Sequence, residues 1–238
     1  MNEPDGERRQ RPSIRPGARY VGFVGLAFAA LVALATYNTI SHGTQDLLGV
    51  DASVRGRPLP EFAVPKIPGG PDADANIYQD DCAAAANPCP ASARRKPACR
   101  IPPKGAIRVC DLFNRPLVIS FWFLRAPSDC LRTQDIVNRV AARFHGRVNF
   151  LSIDVHDDRD EVAKTVAEHD WTIAVGWDRD GAVSDLYRVG GCPTVAFAFP
   201  GGIFAGAKAS VDKLTAPKLT ADVRDLLEQS RRRASNPL

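Results

Sequence analysis

From Tyr20 to Ile40 the chain runs for 21 residues without a formal charge (YVGFVGLAFAALVALATYNTI). At 1.5 Å per residue a helix of that length measures ~31 Å, about the thickness of a hydrocarbon core. The run therefore predicts a transmembrane helix over 20–41. Arg8, Arg9, Arg11, Arg15 and Arg19 precede it, whereas Asp46 and Asp51 follow before Arg55. That arginine bias keeps the N-terminus inside and exports everything after the helix. A cleaved signal peptide competes with this reading, because Ala33-Leu34-Ala35 fits a small-x-small cleavage site. The apolar run is long for a signal peptide, which favours the anchor. Either way the rest of the chain faces an oxidising compartment. The expected order is a basic cytoplasmic segment 1–19, the helix 20–41, a polar tether 42–55, a folded domain 56–230 and a basic tail 231–238.

The net charge of +4 does not mark a nucleic-acid binder. Five Arg against three acids within residues 1–19 account for +2 of it, leaving a nearly balanced remainder. With 45% hydrophobic and 24% charged residues, the exported part has the makings of a core.

Cysteine usage agrees with export, since all six Cys fall after position 80 and four lie between Cys82 and Cys110. Residues 67–106 hold seven of the 19 Pro, three Gly and ten Ala without a sustained period, which predicts a loop. A loop near forty residues long needs something other than a core to hold it. Cys82, Cys89, Cys99 and Cys110 are the available holders, as two structural disulfides within an insertion 67–110. Their spacing, with no nearby His, does not match a zinc site, and three pairings remain open.

From Pro116 the pattern becomes regular. Leu117–Leu124 reads as a central strand buried on both faces. Ile136, Val137, Val140, Ala141 and Phe144 repeat at helical spacing, with Ser128 as N-cap and Gly146 past the end. Val148–Val155 reads as a strand, Asp160–His169 as a helix, Trp171–Gly176 as a strand and Asp178–Gly181 as a turn. Thr194–Phe199 and Gly202–Ala205 flank Pro200-Gly201 as a hairpin. Leu219, Val223, Leu226 and Leu227 mark a last amphipathic helix. Glu61–Lys66 is strand-like before the loop. This order predicts an α/β domain with a central mixed sheet and helices on both faces.

Four stretches resemble the thioredoxin-like superfamily, in its membrane-anchored redoxin branch, which shades into the peroxiredoxins. They are Gly56–Val64 (GRPLPEFAV), Val109–Trp122 (VCDLFNRPLVISFW), Asp178–Tyr187 (DRDGAVSDLY) and Val189–Phe199 (VGGCPTVAFAF). The resemblance implies a thioredoxin-like fold and thiol–disulfide exchange. It also implies a cis-proline loop at Pro193, whose preceding residue, Cys192, packs against the active-site sulfur. The family places Cys-x-x-Cys soon after its Phe-Trp pair; here Phe121–Cys130 reads FWFLRAPSDC and retains the second Cys alone. Counted from Phe121, Cys130 falls where a peroxiredoxin carries its peroxidatic Cys, but Phe123 and Pro127 replace that family's Pro and Thr.

Cys130, in the first turn of a helix, is favoured as a thiolate by the unpaired N–H groups there. By resemblance, Cys130 exchanges with the substrate, Cys192 resolves the mixed disulfide, and Gly191, Pro193 and Thr194, with Trp122 beneath, guide an extended substrate. The implied partners are exported protein thiols and disulfides or a membrane reductant. Two bland alternatives stand beside this. Cys130 is an inert buried Cys, or Cys130 and Cys192 form a third permanent staple in a noncatalytic binding domain. A peroxidase using Cys130 is a further alternative. His42, His145, His156 and His169 form no ligand spacing, so no metal or cofactor is expected. Asp154-Val155-His156-Asp157-Asp158 reads as a solvated charged loop.

Overall fold

A computed structural model describes residues 24–34, 55–77, 97–125, 129–192, 194–209 and 214–235. The chain divides into two units, Met1–Thr44 and Gln45–Leu238. In the first, residues 24–34 are helical and every described side chain is exposed, Leu26 to 74% and Leu34 to 68%. No helix among the described residues is long and apolar enough to cross a membrane. The remainder of the expected span, 20–23 and 35–41, lies outside the described residues, as do the tether 42–54 and Cys82 and Cys89.

The second unit is an α/β fold on a mixed sheet. Its strands are β1 (Phe62–Ile67), β2 (Asn76–Ile77), β3 (Ala106–Arg108), β4 (Leu117–Trp122), β5 (Asn149–Val155), β6 (Ala174–Asp178), β7 (Thr194–Phe199) and β8 (Ile203–Ala209). Helices α1 (Asp129–Arg143), α2 (Arg159–Glu168), α3 (Ala182–Leu186) and α4 (Ala216–Ser235) complete it. The strand order is β2-β1-β6-β5-β4-β7-β8, with β3 also paired to β1. β4, β5 and β6 are parallel to one another, while β1, β7 and β8 run antiparallel to their neighbours.

The expected central strand is β4, all six residues of which are buried. Its alternate side chains enter different cores. Leu117, Ile119 and Phe121 pack with Leu151, Ile153, Val183 and Tyr187 on one side. Val118 and Trp122 serve the side covered by α1, α2 and α4, where Val137, Val140, Leu219, Val223 and Val162 are buried. Burial on both faces explains why the strand reads as an apolar run with Ser120 its one polar residue. Past the end of α1, Gly146 has φ 76°, the left-handed conformation that suits glycine.

Three expectations change. The strand predicted at Trp171–Gly176 begins at Ala174 and runs to Asp178, because the backbone N–H groups of Thr172 and Ile173 donate to the Asn138 side chain of α1 (2.9 and 3.3 Å) instead of to a ladder. The expected insertion 67–110 contains paired segments: β2 and β3 both add to the outside of β1. Arg231–Arg233, read as a tail, lie in the last turns of α4, and the Arg233 guanidinium sits 4.1 Å from the centroid of the Phe199 ring. That stacking on an apolar ring, invisible to a charge count, holds the helix end to β7.

Candidate active site

The carboxyl ends of β4, β5 and β6 converge with the first turn of α1 and the bend before β7. This rim is where open α/β sheets hold their ligands. Cys130 is the second residue of α1 and Cys192 the residue before Pro193, and the two form a disulfide with Cα atoms 5.6 Å apart. Sequence-distant by 62 positions, they meet because β4–α1 and the bend ahead of β7 belong to adjacent antiparallel strands. Cys130 is 2% exposed; Cys192 is half-buried. The backbone N–H of Phe123 donates to Cys130 Sγ at 3.4 Å.

Around the bond lies an aromatic wall. Trp122 is buried edge-on against Trp171, ring centroids 4.9 Å apart at 85°, and Trp177, Val162, Val166 and Ile67 complete the cluster. Trp171 Nε1 donates to Asp135 of α1 at 2.8 Å, and His169 Nδ1 contacts the same carboxylate oxygen at 2.8 Å. Asp135 thereby ties the far end of α2 to the helix carrying Cys130. Thr194 is buried at 1% exposure, and its hydroxyl donates to Gly191 O at 2.7 Å, closing the bend that presents Cys192. Gly191 lines a cavity of about 350 Å³ together with Phe123, Arg125, Val155, His156 and Val189. Thus Trp122 and Thr194 support the bend and the bond from inside, whereas Gly191 faces the open side. Pro193, Pro127 and Ser128 lie outside the described residues.

The charged segment at the end of β5 is solvated only in part: His156 and Asp158 are exposed, whereas Asp154 and Asp157 are buried. Asp154 is fully buried, paired across the ladder with Trp122 on one side and Trp177 on the other. Burial, reinforced by the neighbouring Asp157 carboxylate, pushes its pKa up to about 9. It is a neutral acid at pH 7. Asp157, 5% exposed, accepts from the Leu124 N–H, while its own carbonyl accepts from Trp177 Nε1 at 2.9 Å. Asp158 caps α2 through the N–H groups of Asp160 and Glu161. His156 turns the chain at φ 64° and lies over Gly181, where a Cβ would come 2.2 Å from His156 Nε2. Asp178, raised by burial, accepts from the Val183 and Ser184 N–H groups at 3.0 and 2.8 Å and so starts α3. Asp154 belongs to a strand that is buried on both faces from Phe150 to Val155, so no alternation in the sequence signalled its burial.

The second disulfide joins Cys99 and Cys110, Cα atoms 6.0 Å apart, in two short 3₁₀ turns flanking β3. Glu61 brings a carboxylate oxygen to within 4.8 Å of both sulfurs. Each sulfur is spent on the other, so this trio is a staple and not a metal site. No described cysteine is free.

No family model and no curated protein matches this sequence. Solved structures do match. One assigned as the thiol:disulfide interchange protein DsbE of Chlorobium tepidum aligns at TM-score 0.53 and 16% identity, covering 73% of this chain and 97% of that one. Another, assigned as a protein disulfide isomerase of Bacteroides thetaiotaomicron, aligns at TM-score 0.53 and 10% identity, covering 76% and 95%. The DsbF structure from MTB shares 25% identity at TM-score 0.45 over 51% of this chain and 87% of its own. The fold is that of the thioredoxin-like superfamily.

Proposed function

We propose that the chain is an exported thiol–disulfide oxidoreductase whose redox couple is Cys130–Cys192. The observation that carries the reading is the bond itself. It places one sulfur at a helix N-terminus and the other in the bend before β7, at the carboxyl rim of a thioredoxin-like sheet. It does so without a second cysteine in the α1 segment. The names of the matched structures, interchange protein and disulfide isomerase, point the same way. Exported protein thiols or disulfides, or a membrane reductant, are the partners this chemistry requires. Membrane anchoring through 20–41 is supported by the arginine bias and by the uncharged helix at 24–34, whose Leu26, Phe28, Leu31 and Leu34 side chains are exposed.

One observation favours a second reading, a stapled binding domain without turnover. Cys130 is packed among three tryptophans, as an inert structural cysteine would be. A peroxidase finds less support, since peroxide would have to reach a buried sulfur. Titration of the purified full chain in glutathione or dithiothreitol redox buffers, with alkylation and peptide mapping, separates the first two. An exchange couple opens natively and at a higher potential than Cys99–Cys110, because structural bonds lie below about −300 mV. If both bonds open together, and only after denaturation, the staple reading replaces exchange.

A further inference from the structure

Resting on the exchange reading, we propose that the substrate sulfur bonds to Cys192, that Cys130 is the leaving and resolving sulfur, and that the cavity beside Gly191 seats an apolar side chain next to the substrate cysteine. This reverses the roles expected from the resemblance.

Access decides which sulfur is attacked. Exchange requires an incoming thiolate in line with the S–S bond, approaching the attacked sulfur from the side opposite its partner. Cys130 is 2% exposed and clusters with Trp122, Trp171, Trp177 and Val162, so it presents almost no surface to an incoming sulfur. Cys192 is half-buried, and it follows Gly190 and Gly191, which carry no side chains to cover it. An added Cβ at Gly191 would meet nothing within 4 Å, so the space beside Cys192 is open.

Leaving-group quality points to the same polarity. A sulfur departs faster when its thiolate is stabilised. Cys130 Sγ has the N–H of Phe123 at 3.4 Å and sits in the first turn of the 15-residue helix α1, where free N–H groups and the macrodipole favour negative charge. No donor meets Cys192 Sγ among the described residues, and no helix begins there.

The electrons balance in either direction. A substrate thiolate attacks Cys192 Sγ, the Cys130–Cys192 bond breaks, and its electron pair leaves on Cys130. A second substrate thiolate then attacks the substrate sulfur and expels Cys192, so that a dithiol loses two electrons and two protons and the couple gains both. In reverse, the Cys192 thiolate attacks a substrate disulfide, and the Cys130 thiolate displaces the substrate from Cys192.

The cavity supplies the class of substrate. At about 350 Å³ it has the size of a small-molecule or side-chain pocket. Phe123, Val155 and Val189 give it an apolar floor, and its lining reaches Gly190 and Gly191, the two residues before Cys192. Arg125, His156 and Asp185 are exposed at its rim. A polypeptide with a large aliphatic or aromatic residue beside its cysteine buries that residue there as the sulfurs meet.

The test uses the oxidised full chain in detergent and two reduced probes, acetyl-Gly-Leu-Cys-Gly-amide and acetyl-Gly-Asp-Cys-Gly-amide, with acid quench and peptide mass spectrometry. Early adducts should fall on Cys192 at least about tenfold more than on Cys130, and the Leu probe should react about tenfold faster than the Asp probe. Mixed with the oxidised Leu probe dimer, Cys130→Ser should hold the adduct on Cys192, while Cys192→Ser should accumulate about tenfold less. Adducts mainly on Cys130 overturn the polarity and leave exchange standing. Equal probe rates overturn the cavity assignment. A native chain that forms no adduct on either sulfur overturns the exchange reading itself.

Discussion

The two disulfides are the same bond in opposite settings. Cys99–Cys110 spans 11 positions in an insertion with little core of its own. Its ends are already held together by Arg108, whose Nη1 donates to Cys99 O and Ile101 O at 3.3 and 3.2 Å. The Nε and Nη2 of Arg108 grip Asp111 at 2.8 and 2.7 Å. The bond adds a covalent link where polar contacts have placed both partners. Cys130–Cys192 spans 62 positions, joins a helix to the bend before a strand, and has one residue buried inside an aromatic cluster and the other half-buried at its edge, next to Gly191 of the cavity lining. A staple is best with both ends equally held. A couple that turns over needs unequal ends, one reachable and one stabilised when it departs.

Four experiments break or sharpen this contrast, in order of expected effect. Replacing both Cys130 and Cys192 with Ala should abolish exchange with a thiol probe. It should also remove about 4 kcal/mol of stability on the loop-entropy relation for a closed loop of this length, read by denaturant unfolding. If exchange persists in that variant, the contrast fails. Trp122→Ala should cost about 3–5 kcal/mol, since the ring is buried under the couple, and should expose Cys130 to alkylation in the reduced chain. Unchanged alkylation would mean that the wall does not shield that sulfur. Cys99→Ala with Cys110→Ala should cost about 3 kcal/mol and leave the exchange rate unchanged. A loss of exchange there would tie the insertion to the site. Mapping the same chain should find Cys82 bonded to Cys89, the pair left over from the sequence expectation.

The fourth readout is a slope, the pH dependence of stability. Asp154 has its folded-state pKa raised from 3.8 to about 9, so the folded state holds a proton that the unfolded state releases above about pH 4. The stability associated with that proton is fully present below about pH 4, declines as pH rises toward 9, and is absent above it. The slope is at most about 1.4 kcal/mol per pH unit. Asp154→Asn, a neutral isostere, should flatten urea-unfolding stability between pH 5 and 8, and an unchanged slope would show that Asp154 titrates normally. Asp178, also raised by burial, contributes with the same sign and remains in the variant.

Much of the sheet was legible because its periodicities are local. β4 is an apolar run interrupted by Ser120 alone, α1 carries its apolar repeat from Ile136 to Ala141 with Phe144 just past its end, and the hairpin of β7 and β8 announces itself by Pro200-Gly201. The start of β6 was not legible, since Thr172 and Ile173 give their N–H groups to a side chain 34 and 35 positions away. Nor was the pairing of β3 with β1, because three residues carry no period and the pairing comes from a distant strand. At the site, Cys130 and Cys192 stood out by chemistry and by resemblance. Asp154 and Asp157 did not, because a run of acids after a strand reads as solvated until the ladder shows which of them face the tryptophans.

By itself the sequence determined the uncharged segment, the cysteine-bearing insertion, the order of strands and helices from β4 onward, and the pair of cysteines around which exchange can be argued. These follow from composition, charge and short-range spacing, which the chain carries wherever it goes. Tertiary structure alone decided that Cys99 pairs with Cys110, that Asp154 is buried inside the sheet, and that Cys130 is buried while Cys192 is half-buried beside Gly191 of the cavity lining. Each of these depends on what packs against a residue from far along the chain, and burial, unlike spacing, is a property of the neighbours.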